Sequence, residues 1–356
     1  MRNLGVVSAV LACVMSGFGA NGEELKVAAD ETVTLAADAS VSGGTVYGTL
    51  VLSEGMTLEL THNVFAAGST LVLSNATLRG FAGTTEGDFA NAFVIADGTT
   101  NVFANVTDSY SQEGCNVTVS GPITGAGKVL FRSTGRGIRV TGDASAFTGT
   151  LAFDMTGNFF NGRLESDQLS KATVEVVGGL FPFNRTGAHY GRLLVAPYAT
   201  FRCDRGFDDS NNLHLYGDSV LDGKFEGNAM DIHVHDGAVV SFGWDYVNCV
   251  HVESGVTLSG NGTIGTLQTW DNGINVMNDP TSTLKINGRV ADETGALTIT
   301  GVAEARHGTP VLEVPSASVD LFRVGLSEEL AAAHWRLRRT GGFYDIYRPG
   351  MIVIFR

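Results

Sequence analysis

The sequence is short of lysine, proline and cysteine, and nowhere does it stay apolar for long. Only five of its 23 basic residues are lysines, against 37 acidic residues, and the net charge is −14. Such a chain offers nothing to attract a phosphate backbone, which excludes nucleic acid as a partner. Its four cysteines, Cys13, Cys115, Cys203 and Cys249, are too few and too far apart for a disulfide framework. At most Cys203 and Cys249 would pair, and the plainer reading is that both are small inward residues. After the first residues no run reaches the roughly 20 apolar positions of a membrane helix. Seven prolines against 46 glycines, with many Thr and Val and few helix-favouring runs, describe short strands broken by turns.

The start of the chain is expected to be a signal peptide over residues 1–20. Arg2 supplies the positive charge, Leu4 to Met15 an apolar run too short to span a bilayer, and Gly17-Phe18-Gly19 a small-x-small cleavage site. Val10-Leu11-Ala12-Cys13 also resembles a lipobox, so attachment through Cys13 is a second expectation, behind cleavage. The expected location is extracellular or at the cell surface of a bacterium, ahead of the periplasm.

What is present is a repeated phrase. Leu213-His214-Leu215-Tyr216-Gly217 returns as Ile232-His233-Val234-His235-Asp236-Gly237 and as Val250-His251-Val252-Glu253-Ser254-Gly255. A fixed period in this range marks stacked repeats. The alternation sends Leu213 and Leu215 to one face and His214 to the other. Earlier, Thr49-Leu50-Val51-Leu52-Ser53 recurs as Thr70-Leu71-Val72-Leu73-Ser74, and Phe93-Val94-Ile95-Ala96-Asp97-Gly98 follows. Counting the register outward places Glu175, Leu194, Gln268 and Lys285 in the histidine column.

A strand, a small turn residue and a second strand cannot bury an apolar face alone, whereas coiled rungs merge their inward residues into one core. The expected fold is all-β, a right-handed parallel β-helix over residues 21–320 with rungs of about 19 to 22 residues and about 12 to 15 turns. A β-sandwich has no reason to repeat one phrase at a near-constant offset. Residues 79–91 and 154–171 break the register and read as projecting loops. Over 321–356 a short helix from Ser327 to Ala333 and strands at Trp335 to Arg339, Phe343 to Tyr347 and Met351 to Phe355 are expected to cap the open end.

Between Gly121 and Leu151 the chain reads Ile123-Thr124-Gly125-Ala126-Gly127, then Gly135-Arg136-Gly137-Ile138-Arg139-Val140-Thr141-Gly142, then Phe147-Thr148-Gly149. This resembles the autotransporter-associated β-strand repeat of bacterial passenger domains, and Leu258-Ser259-Gly260-Asn261-Gly262 echoes its first part. The resemblance implies an exported, surface-exposed β-helix and brings no catalytic residues with it. Only about 20 residues follow Trp335, too few for the eight or more strands of a membrane barrel, so the resemblance is to a passenger without its own translocator.

Three groups of residues carry candidate chemistry. His214, His233 and His251 would stack about 4.8 Å apart on the outer face, where neighbouring imidazoles could share zinc or copper. Such a stack would weaken below about pH 6, as the rings become charged. Asp204, Asp208 and Asp209 with Arg205 could in principle protonate a glycosidic oxygen, the basis of a rival reading as a polysaccharide lyase or glycoside hydrolase. Acidic turns of this kind also suit calcium, although Asp and Asn are ordinary turn residues. The reading that fits best is non-catalytic: a rod that presents its flanks to a polysaccharide, to a cell-surface component or to other copies of itself.

Overall fold

The computed structural model describes residues 23–349 except 81–86, 106–116, 134–136, 157–162, 165–167, 184–187, 204–211, 228–230, 236, 270–273, 278–282, 288–289, 292–295, 302–306, 309 and 315–322. It is a parallel β-solenoid that divides into two units, one ending at Asn184 and one beginning at Arg185. Between them the units make about 9 turns.

The first unit stacks its strands in three columns. One holds Thr32–Thr34, Thr49–Ser53, Thr70–Ser74, Ala92–Ile95 and Ile123–Gly125, all parallel. Thr49 lies beside Thr70 and Leu50 beside Leu71, as the repeated phrase requires. Alternation sends Leu50, Leu52, Leu71 and Leu73 inward, where each is fully buried. The second column includes Thr77–Gly80, Thr100–Asn105, Lys128–Ser133 and Thr150–Asp154. In-register pairing sets Phe103 beside Phe131 and Phe131 beside Phe153, so the ring of each turn rests on the ring of the next. Centroids step by 5.7, 5.2 and 4.8 Å from Phe103 through Phe131 and Phe153 to Phe181.

The third column corrects the two projecting loops. Gly87–Phe89, inside the expected 79–91 loop, is a strand paired with Val117–Val119, which pairs in turn with Ile138–Val140. Arg163–Leu164, inside the expected 154–171 loop, extends the same column, and Gln168–Phe183 continues the second one. A turn with three strands needs more residues than a turn with two. Phe93 accordingly pairs with Ile123, 30 residues on, while Thr49 pairs with Thr70 after 21. Turns of such unequal length explain why the chain makes fewer than the 12 to 15 expected.

The second unit follows the same rule with shorter turns in its middle. Ala188–Val195, Asn212–Leu215, Asp231–Val234, Val247–Val252 and Thr263–Thr269 are stacked in parallel. Ser219–Leu221, Val239–Phe242, Thr257–Gly260, Ile274–Met277, Ala296–Thr300 and Arg323–Leu326 form a second column. Ser327 caps the helix Glu328–Ala332, its hydroxyl oxygen accepting from the Leu330 N–H, and two glutamates occupy the first turn. Arg336–Thr340 and Phe343–Tyr347 form an antiparallel hairpin clasped by Arg338 on Asp345. Phe343–Tyr347 also runs antiparallel to Pro310–Glu313, so the parallel ladder meets a reversed strand at that edge. The expected strand at Met351 to Phe355 lies outside the described residues, as do the signal segment and Cys13.

Two glycine pairs explain the local resemblance to the passenger repeat. Gly125 and Gly260 hold φ at +102° and +99°, and a Cβ on either would sit 1.9 Å from the Ile95 carbonyl oxygen or 2.2 Å from that of Phe242. Two residues on, a Cβ on Gly127 or Gly262 would meet the Ala96 or Trp244 carbonyl oxygen at 2.2 or 2.6 Å. The Gly-x-Gly phrase thus marks corners where the backbone of one turn lies directly on that of the turn beside it.

Candidate functional site

The outer face of the second unit carries a grid of side chains set by strand register. His189 pairs with His214, His214 with His233, His233 with His251, and His251 with Gln268. Two residues earlier on the same face run Asn212, Asp231, Cys249 and Thr266. Two residues later come Tyr216, His235 and Glu253, reached by the continuing ladder of backbone hydrogen bonds. Alternation puts all three columns on the outward side, with Leu213, Leu215, Ile232, Val234, Val250 and Val252 buried behind them.

The central column is a stack of four imidazoles. Ring centroids lie 4.3, 4.6 and 4.4 Å apart from His189 through His214 and His233 to His251, with interplanar angles of 9°, 20° and 8°. His189 was not expected. Its strand reaches the column 25 residues before His214, whereas the regular offset points to Leu194, which instead pairs with Val220. Lys285 likewise lies beside Thr263 and not in the histidine column.

Hydrogen bonds tie this stack to the next column. His189 Nδ1 lies 2.7 Å from the Tyr216 hydroxyl and His214 Nδ1 lies 3.0 Å from His235 Nε2. Tyr216 stacks on His235 at 4.1 Å and 3°, and His235 Nδ1 is 3.0 Å from a Glu253 oxygen. The rings therefore cover one another's faces and turn their polar edges outward or to one another.

Charge at the two ends of the stack differs in sign of effect. Burial, then the neighbouring imidazoles of His189, His233, His235 and His251, push His214 down to about 4. Burial and His251 push His233 down to about 4 as well. His251 is raised to about 9, first by its hydrogen bond to Asp231 and then by that to Cys249, and Asp231 is lowered by the same contact with His251.

A pH dependence follows from His214. Because its folded pKa lies below the unfolded value near 6.5, its stabilising contribution is complete above pH 6.5 and is lost as pH falls towards 4. The groups facing it are His189, His233, His235, Tyr216 and, one rung further, His251. Part-exposure screens the effect to about 1–2 kcal/mol. Thermal melting in EDTA at pH 7.5 and pH 4.5 should show the chain losing more stability than its His214→Gln variant; equal losses would contradict it.

Of the three expected metal ligands, only His251 joins a compact group of donors. Parallel stacked rings aim their in-plane lone pairs side by side, so His214 and His233 do not converge with His251 on one point. The convergent group is Asp231, Cys249 and His251, with the donor atoms within 4.8 Å of one another. Cys249 is a free thiol, and it lies on the outward side, 8% exposed, not inward. The side chain of Cys203 and the whole of Asp204, Arg205, Asp208 and Asp209 lie outside the described residues. No described helix is long and apolar enough to cross a membrane.

The chain matches no family model, and no curated protein or solved structure is significantly similar to it.

Proposed function

We propose that this chain is an exported, non-catalytic solenoid that binds a neutral polysaccharide along the imidazole and phenol grid of its second unit. The observation that supports this reading is the rigid column His189, His214, His233 and His251 locked to Tyr216 and His235. Because the ring faces are already taken, the groups left for a ligand are ring edges carrying N, N–H and O–H, which match the hydroxyls of a sugar chain. Rings held by stacking and by cross-column hydrogen bonds have little freedom left to lose on binding. The exposed rings of Tyr216 and of Tyr198, 39% and 93% accessible, add apolar surface on this unit. A net charge of −14 disfavours a polyanion and leaves a neutral glycan as the better partner.

Retention on a panel of immobilised neutral polysaccharides tests it directly. At least one should hold the protein, and His214→Gln with His233→Gln should weaken that binding by about tenfold or more, in keeping with the loss of two hydrogen-bonding edges. Retention unchanged in the double variant, or release of reducing or unsaturated ends from the polysaccharide, would overturn the reading; the second outcome would mark an enzyme.

A further inference from the structure

The grid holds a second arrangement, independent of any sugar, at the edge where the column of Asp231 and Cys249 meets His251. His251 Nε2 lies 3.4 Å from Cys249 Sγ and 3.6 Å from Asp231 Oδ2. One nitrogen thus faces both a sulfur and an oxygen. Around a tetrahedral zinc ion, bonds of about 2.3 Å to sulfur and about 2.0–2.1 Å to nitrogen or oxygen set the donors about 3.3–3.5 Å apart. Two edges of the triangle already have that length. The third, between carboxylate and thiol, lies within 4.8 Å and shortens by turning Asp231, whose side chain is 38% exposed and has room to move.

The surroundings are those of a supported site. Asn248 Nδ2 lies 3.5 Å from Asp231 Oδ1, at hydrogen-bonding reach of the oxygen that faces away from His251. His233 stacks on His251 at 8° and fixes the plane of its ring. Outer partners that orient ligands in this way contribute to metal affinity as the ligands do. Cys249 is covered although its strand neighbours Val250 and Val252 take the inward side, which keeps a soft donor beside the surface yet shielded from bulk oxidants.

We infer that Asp231, Cys249 and His251 bind a zinc-class divalent ion, with a fourth position open to water or to a small ligand. The thiolate selects zinc or cobalt over magnesium and calcium, which prefer oxygen donors alone. Binding releases the thiol proton and any proton on His251 Nε2 to solvent, so atoms and charge balance without an oxidant or reductant.

Cobalt(II) is the probe, because its bond to a thiolate absorbs in the near ultraviolet. The full chain carrying Cys13→Ser, Cys115→Ser and Cys203→Ser, so that Cys249 is its one thiol, is titrated with cobalt chloride and then with zinc chloride. The expected result is a saturable thiolate-to-cobalt band that zinc displaces. It disappears in a further Cys249→Ser variant, and the apparent affinity falls by about tenfold or more in Asp231→Asn and His251→Gln. Far-ultraviolet circular dichroism establishes that each variant is folded, and His214→Gln, one rung away from the donors, retains the band. Absence of the band from a folded chain containing Cys249, its persistence in Cys249→Ser, or its loss in His214→Gln would overturn the assignment. None of these readouts depends on polysaccharide binding, so the two proposals fail separately.

Discussion

Phe153→Ala should destabilise the first unit by about 3–5 kcal/mol, the range for deleting a buried phenylalanine from a packed core. Phe153 is fully buried, between Phe131 at 5.2 Å and Phe181 at 4.8 Å. Truncation removes two ring contacts as well as the transfer free energy. Main-chain pairing on both sides of the strand Thr150–Asp154 prevents the neighbours from closing the gap. Phe153→Leu, which keeps most of the volume, should cost less than half as much. Urea unfolding followed by circular dichroism reads the loss. All three tryptophans, Trp244, Trp270 and Trp335, belong to the second unit, so their fluorescence reports on that unit alone. A midpoint unchanged by Phe153→Ala would mean that the ring column is not a core.

Gly260→Ala should cost a further large amount, about 3 kcal/mol or more, for two reasons that add. At φ of +99° any L side chain is strained, by roughly 1–2 kcal/mol. The new methyl would also lie 2.2 Å from the Phe242 carbonyl oxygen and 2.7 Å from its carbon, backbone atoms that cannot swing aside. Gly237→Ala separates the two causes. Its φ is +73°, yet nothing lies within 4 Å of the added Cβ, so only the conformational cost of about 1 kcal/mol applies. Melting temperatures of the two variants should therefore differ by several degrees, with Gly260→Ala the lower. Equal losses would remove the close approach of turns as the reason for the Gly-x-Gly phrase.

The histidine phrase shows how far a sequence carries such a fold. Between His214 and His251 the turns are short, and identical spacing makes register follow from counting, so Asp231, His233, His235, Cys249 and Glu253 could all have been set on one grid from the letters alone. Counting failed at His189 because the turn leading to His214 contains residues 204–211 in excess of the regular rung, and length variation in a turn leaves no periodic trace. It failed in the same way at Gly87–Phe89 and Arg163–Leu164. There, short strands of a third column stand among residues that match no repeat.

Cys249 marks a different boundary. Val247 and Val250 are both buried, three residues apart, so the strand turns a corner between them and the inward parity changes. Counted from Val247, Cys249 belongs to the core; counted from Val250, it belongs to the outer face. Alternation is a property of a straight strand, and the letters do not say where a strand bends.

By itself the sequence determined the coil, the inward leucines and valines of its regular turns, the serine-capped helix and the existence of a histidine column, because each depends on neighbours a few residues away or on one constant period. Tertiary structure alone decided which residues complete that column, and that Asp231 and Cys249 meet His251. Those contacts join separate turns, and their geometry depends on the lengths and bends of the chain between them.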